Sequence, residues 1–321
     1  MHEHELKLRP LLNYLAQYRP VQTVWDGWHI RQMSGGANNL LYRTTRNTDD
    51  FAVKFTIRDL RDRAGREYRA LTALAQVGYG IAPQPILLDQ ASYAHPVVVQ
   101  TWIVGDPFTL PATDDDWYHL VEHLATIHTL TPADTTVRLT PAVLAARSPD
   151  ECRQLIQEQL KLIPLAAQPA ALHDLVHRLE PVLSAPWPPT PSTLCRNDPN
   201  SPNFIRRPTA WASVDWENSG WSDPAFEIAD LISHPAYRTV PLEHWHGVIH
   251  TYCSLVHDAT AATRIEVYYK TLLVWWVARF VRTLYEVPLS LDQRLVERPA
   301  NWAEETQAKC EYYVHLAQTL V

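Results

Sequence analysis

The stretch LCRNDPNSPNFI, residues 194–205, places Asp198 and Asn203 five positions apart in a run whose prolines keep it out of helix and strand interiors. Residues of this kind are favoured in plain surface turns. A plain turn does not account for ASVDWENSGWSDPAFEIADLI, which begins only a few residues later. NFIRR and AWASVD read as two short strands joined around Pro208, and Asp215 stands where the second one ends. Asn203 and Asp215 together would offer two oxygens suited to Mg²⁺, with phosphates and water completing its shell. Asp198 is then free to orient a substrate hydroxyl. A pair of ordinary turns is the competing explanation.

At 321 residues the chain is long enough for one large domain or two modest ones, and two lobes are expected. A net charge of -7 without a dense Lys/Arg tract argues against a nucleic-acid partner. Cys152, Cys195, Cys253 and Cys310 form no CxxC pair, which speaks against a disulfide framework and a zinc site. The opening MHEHELKLRP has no apolar h-region, so a reducing cytoplasm is the expected setting. TLLVWWVARFV, residues 271–281, is interrupted by Arg279 well short of the roughly 20 residues of a membrane span, and reads as a buried helix. The 12 tryptophans are core filler or, in part, a groove for a flat or cationic ligand. Monomer and homodimer both stay open.

Residues 1–20 pattern as a short helix with Leu8, Leu11, Leu12 and Leu15 on one stripe. NLLYRTT and DFAVKFT are strand-like, and Asn47 to Asp50 between them has hairpin composition, giving an antiparallel pair. A helix follows over about residues 59–77, with Leu60, Ala64, Glu67, Leu71 and Leu74 near one face and Gly78 as its stop. HPVVVQTWIVG reads as a strand closed by Gly105, where the smaller lobe ends, so residues 1–105 and 106–321 are the expected domains. The remainder is mainly helical. Thr113 with Asp116 resembles a capping box ahead of an apolar face of Trp117, Leu120, Val121, Leu124 and Ile127, and Ser148, Pro149 and Glu151 give a second helix start. Asp223 before Pro224 reads as a structural N-cap.

In FAVKFT the side chains of Phe51, Val53 and Phe55 point one way and those of Ala52, Lys54 and Thr56 the other. Lys54 is then either a solvated strand lysine or a cation facing a cleft. Glu67, on the apolar side of its helix, is expensive there unless paired. A Lys54 to Glu67 ion pair would satisfy it and hold the ammonium for a polyphosphate. Gly35, Gly36, Ala37, Asn38 and Asn39 form a small-residue turn, equally a hairpin turn or a loop whose N–H groups approach an anion.

Taken in order, these elements resemble the aminoglycoside phosphotransferase and choline kinase superfamily. That resemblance implies an α+β, bilobal protein-kinase-like fold with a small antiparallel-sheet N-lobe, one main helix in it, and a larger, mainly helical C-lobe. The family's catalytic loop reads His-Gly-Asp, four residues, then Asn; RNDPNSPN keeps Asp198 and Asn203. Its metal-binding Asp corresponds to Asp215 in SVDWE, and SDPAFEIA follows as in the family. By the same resemblance Lys54 contacts phosphates, Glu67 is its helix partner, SGGANN covers the nucleotide, and Gln100, Thr101, Trp102 and Ile103 form the hinge that offers backbone hydrogen bonds to a purine. Similarity covers roughly residues 30–235.

The resemblance implies an ATP- or GTP-dependent, Mg²⁺-requiring phosphotransferase acting on a hydroxyl of a small, possibly amine-bearing molecule. A cationic acceptor would suit Glu266, Glu286, Glu304 and Glu305 with Trp275 or Trp276, although amphipathic core helices produce the same letters. Two departures stand out. Arg196-Asn197 replaces His-Gly before the catalytic Asp, and Ser201-Pro202 replaces Pro-Gly before the Asn. Asn197 tolerates a left-handed backbone, while Pro202 should push Ser201 toward extended conformation. They also favour an alternative, a catalytically weak or inactive kinase-like module that binds nucleotide or acts as an interaction module.

Overall fold

The computed structural model describes residues 2–33, 39–292 and 294–321. Its first part contains helix α1 (His2–Tyr18), strands β1 (Gln22–Trp25), β2 (Trp28–Met33), β3 (Asn39–Arg46) and β4 (Asp49–Thr56), helix α2 (Arg63–Gln76), and strands β5 (Pro85–Asp89) and β6 (Val97–Thr101). The six strands form one antiparallel sheet in the order β1-β2-β3-β4-β6-β5. The β3–β4 hairpin closes on the two residues Asn47 and Thr48, and Asn47 takes a positive φ of 55°, as a primed hairpin turn requires. Gly35, Gly36, Ala37 and Asn38 lie outside the described residues.

The alternation in β4 sorts its two faces as the sequence indicates. Phe51, Val53 and Phe55 pack with Leu8, Leu11, Leu12 and Leu15 of α1 in one apolar cluster, while Lys54 turns to the other face and reaches Glu67 on α2. Helix α2 starts later than expected. Leu60 is fully exposed and Arg63 is the first helical residue, because residues 57–62 form a connection that ends with Asp62 in a left-handed conformation. Its end is as expected: Gly78 has φ 78°, its N–H donates to Ala75, and the Tyr79 N–H donates to Leu74, a Schellman closure. The expected strand from His95 to Gly105 is shorter, spanning Val97–Thr101, although the Trp102 N–H still bonds the Asp50 carbonyl of β4 in the same register.

The second part comprises β7 (Asp106–Pro107), α3 (Asp114–Ile127), α4 (Pro149–Lys161), α5 (Ala170–Val182), β8 (Thr193–Cys195), β9 (Phe204–Arg206), β10 (Ala212–Ser213), β11 (Gly220–Ser222), α6 (Pro224–Ser233), α7 (His244–Val256), α8 (Ala261–Glu286) and α9 (Trp302–Leu320). The architecture is a bilobal α+β, protein-kinase-like fold. Thr113 and Asp116 form the reciprocal capping box of α3, and Ser148 caps α4. Helix α8 runs through the middle of the helical lobe against α4, α5, α6, α7 and α9, and no described helix is long and apolar enough to cross a membrane. The main core is continuous between lobes, since Leu71 and Leu74 of α2 belong to the same cluster as the α3, α6 and α8 side chains.

Two short ladders carry the loops between β8 and β11. In β9–β10 Phe204 pairs with Ser213, so Asn203 and Val214 sit at one end of the ladder, joined by a Val214 N–H to Asn203 carbonyl bond of 2.9 Å. Asp223 accepts the Ala225 N–H as an N-cap and also receives Arg264 at 2.7 Å and Tyr268 at 2.9 Å, all three side chains buried. Replacing Arg264 by Leu would strand the Asp223 carboxylate. It is expected to cost about 3–5 kcal/mol of stability, read as a drop in urea midpoint; a change below 1 kcal/mol would mean the pair is not what anchors α6 to α8.

Candidate active site

Lys54 sits at the junction of the lobes. Its ammonium donates to Glu67 at 2.8 Å and to Asp215, and lies 3.5 Å from Glu217. Glu217 in turn accepts from Asn39 at 2.8 Å and from Arg63, which also binds Asp59 at 2.9 Å. Burial alone would discharge Lys54, yet Asp215, Glu67 and Glu217 outweigh it and raise its pKa well above the usual lysine value. Burial raises the Glu67 pKa, with Lys54 opposing. For Asp215 burial acts upward, but Lys54 prevails and holds its carboxyl below the ordinary aspartate value.

Asp198 lies on the other strand-to-strand loop. It accepts the Asn203 side-chain amide at 3.2 Å and the Asn200 N–H at 3.2 Å. Burial raises its pKa to about 7, with Arg196 opposing and Asp215 adding to the rise. The loop is braced from beneath. Glu227 of α6 receives the N–H groups of Arg196 and Asn197 at 2.9–3.1 Å and His128 at 2.8 Å, and Tyr237 donates to the Pro199 carbonyl at 2.6 Å. Both departures from the family pattern have structural work. Arg196 is wholly buried, stacks 4.6 Å from the Phe204 ring and donates to the carbonyls of Val214 at 3.0 Å and Asp215 at 3.3 Å. Asn197 takes φ 51° and Asp215 φ 63°, left-handed conformations that Asn and Asp accept more readily than other side-chain-bearing residues. Ser201 is not extended as expected before proline; it opens a 3₁₀ turn closed by the Asn203 N–H on the Asn200 carbonyl at 3.0 Å, and Pro202 fits that turn because it needs no donor there.

The donor set suits a hard divalent cation. Asn203 spends its amide N–H on Asp198, which leaves its carbonyl oxygen as a ligand, and Asp215 is held ionised. Glu67, Asp215 and Glu217 also bring carboxylate oxygens within 4.8 Å of one another. His128, Cys195 and Glu227 are equally close, but Glu227 is already filled by two N–H groups and His128, and burial pushes the Cys195 thiol well up. That trio reads as a brace.

Sequence reasoning placed Lys54, Glu67, Asp198, Asn203 and Asp215, and the structure links them: Asp215 joins the Lys54–Glu67 pair, the adjacent Val214 N–H bonds the Asn203 carbonyl, and the Asn203 side chain bonds Asp198. Asn39 faces inward to Glu217. In the hinge, Gln100 is paired on both sides, the Thr101 N–H is taken by Gln84 and the Trp102 N–H by Asp50, so Ile103 is the first of the four whose backbone makes no such bond among the described residues. Glu217 and Arg63 were missed; the signal available was a second acid two positions beyond Asp215. Of the residues expected around an acceptor, Trp275 and Trp276 line a cleft of about 540 Å³ with Asp198, whereas Glu266, Glu286, Glu304 and Glu305 do not border it. Glu266 and Glu286 instead pair along α8 with Lys270 and Arg282, because one turn of helix brings them together.

A bilobal fold with a buried Lys–Glu pair and an Asp/Asn loop facing a strand-end Asp is that of the kinase-like phosphotransferases. The family model described as phosphotransferase enzyme family matches residues 29–264, and the chain belongs to that family, within the aminoglycoside phosphotransferase and choline kinase superfamily. No curated protein matches the sequence. Among solved structures, the fold is similar to a choline/ethanolamine kinase family protein from Mesorhizobium loti, at 18% identity and TM-score 0.63, over 90% of this chain and 92% of that one. It is similar to spectinomycin phosphotransferase in complex with ADP and spectinomycin, at 16% identity and TM-score 0.62, over 96% and 97%. A choline kinase from Streptococcus pneumoniae matches at 15% identity and TM-score 0.58, over 98% and 100%. At such identities the likeness is one of fold.

Two outcomes test the site's electrostatics. Lys54→Met leaves Glu67 and Asp215 without their cation and is expected to lower stability by about 3–5 kcal/mol, part of it recovered in Lys54→Met/Glu67→Leu; simple additivity in urea melts would mean the pair is uncoupled. Beneath β10, His123 contacts the Ser213 hydroxyl at 2.9 Å, and burial, then Arg196, lowers its pKa to about 3. The unfolded chain binds that proton near pH 6.5 while the fold resists it down to about 3, so the stabilisation is full above pH 6.5 and lost as pH falls. Relative to His123→Gln, the wild type should lose about 1.4 kcal/mol per pH unit below 6.5. Parallel pH profiles of the two urea midpoints would contradict the neutral, buried imidazole.

Proposed function

We propose that the protein transfers the γ-phosphate of ATP or GTP to a hydroxyl group of a small molecule. The observation that supports this most is that Asp215 joins the buried Lys54–Glu67 pair while the adjacent Val214 is bonded to Asn203, whose side chain binds Asp198. The lobe of residues 1–105 would hold the nucleotide, with its base against the Gln100 to Ile103 segment and its phosphates near Lys54, and the lobe of residues 106–321 would carry the catalytic loop and the acceptor. Asn203 and Asp215 would hold Mg²⁺, which neutralises phosphate charge when bound. Asp198 orients the acceptor hydroxyl in line with the γ-phosphorus and takes its proton late. The hydroxyl oxygen forms the new P–O bond, the bond to the bridging oxygen breaks, and the nucleoside diphosphate leaves. Nucleotide and small-molecule acceptor are then the partners, in a cytoplasmic monomer or homodimer.

Asp198→Ala and Asp215→Ala are each expected to reduce transfer by about 10²–10⁴-fold or more. Only Asp215→Ala should abolish the Mg²⁺ dependence of nucleotide binding in calorimetry. Normal turnover in Asp198→Ala would remove it from the catalytic role.

A further inference from the structure

The cleft beyond Asp198 is lined by the loop residues Asn197, Asp198 and Pro199, by Trp275 and Trp276 of α8, and by four arginines: Arg61, Arg66, Arg279 and Arg282. Lys54, Asp215 and the Gln100 to Ile103 segment do not border it, so these arginines lie on the acceptor side of Asp198 rather than with the nucleotide. Their carboxylate partners are few. Arg282 pairs with Glu286 at 2.7 Å, but Arg66 bonds only to main-chain carbonyls, Arg279 donates to the Thr283 hydroxyl at 2.9 Å, and the Arg61 guanidinium has no carboxylate or carbonyl partner among the described residues. The charges crowd one another. Burial, then Arg282 and Arg61, push Arg279 down to about 10 despite Glu286 and Asp292, and partial desolvation, then Arg63 and Arg282, lower Arg61 against Asp59 and Glu217. The opposing groups in the cleft are Glu158, the catalytic Asp198 and Asp230; burial raises Asp230 well above the ordinary aspartate value. Trp276 adds an indole N–H with no acceptor on the same wall.

Under-paired guanidinium groups beside a catalytic carboxylate are a built receptor for anionic oxygen, since planar forks of N–H donors match carboxylate and phosphate groups. We infer that the acceptor is an anion: a hydroxylated small molecule whose carboxylate or phosphate is taken by Arg61 and Arg279, with its hydroxyl presented to Asp198. This rests on the phosphotransferase reading and names its substrate class. Arg61 comes from the N-lobe connection and Arg279 from α8, so such an acceptor would be clamped between lobes. A choline-like or aminoglycoside-like cation would meet repulsion at the same place.

The test begins with Mg²⁺-dependent ATP and GTP binding by calorimetry, whose absence would sink the phosphotransferase reading itself. With the nucleotide-loaded protein, binding and phosphate transfer are then compared for size-matched probes: glycerol 3-phosphate against ethanolamine, and gluconate against glucosamine. At least tenfold preference for the anionic member of each pair is expected, the phosphate and carboxylate arms showing which anion is favoured. Arg61→Gln, on an exposed loop, and Arg279→Gln should each reduce that preference at least fivefold with nucleotide affinity retained. Equal or better use of the cationic probes, no response to either class, or a preference that survives both substitutions would overturn the inference while leaving the phosphotransferase reading standing.

Discussion

Lys54 rises from a strand of the N-lobe sheet and meets Asp215 and Glu217, which arrive from the helical lobe, while Glu67 closes on it from α2. Each of these charges taken out of water alone would carry a penalty of several kcal/mol. Together they are compensated, and the compensation is available only when the lobes are in the observed register. Asn39 and Arg63 extend the network through Glu217, so the hairpin β3–β4 and the start of α2 are tied to the same point.

The loop that carries Asp198 shows how a departure from a family pattern can preserve geometry. Arg196 stands where an imidazole is usual, and its guanidinium ties the loop to the carbonyls of Val214 and Asp215. The loop that holds Asp198 and the strand end that holds Asp215 are therefore joined by one buried side chain. Asn197 supplies the left-handed turn that a glycine would otherwise provide. Glu227 collects the two N–H groups exposed by that turn, which fixes the direction in which Asp198 leaves the backbone. These features give no support to a loop that has lost its shape.

Much of the molecule was legible in the chain because it follows from local chemistry. The α1 stripe, the β3–β4 hairpin, the Gly78 stop, the Thr113 and Ser148 caps and the Asp223 cap are set by periodicity and turn preferences within a few residues. The late start of α2 was not, because Leu60 fits the helical stripe and only the surroundings send it outward. The end of β6 was hidden for a similar reason: Trp102 is as apolar as a strand residue and its N–H still bonds the Asp50 carbonyl of β4, yet the strand goes no further.

By itself the sequence determined the family, the bilobal α+β architecture and the order in which Lys54, Glu67, Asp198, Asn203 and Asp215 enter, since these rest on short-range pattern and residue type. Tertiary structure alone decided which charges meet. Glu217 and Arg63 join Lys54 through contacts between lobes, and the expected glutamates of α8 and α9 stay away from the cleft beside Asp198, where arginines from the N-lobe loop and α8 gather instead. The physical reason is that electrostatic interaction depends on distance through space and on burial, and neither is written in the spacing of residues along the chain.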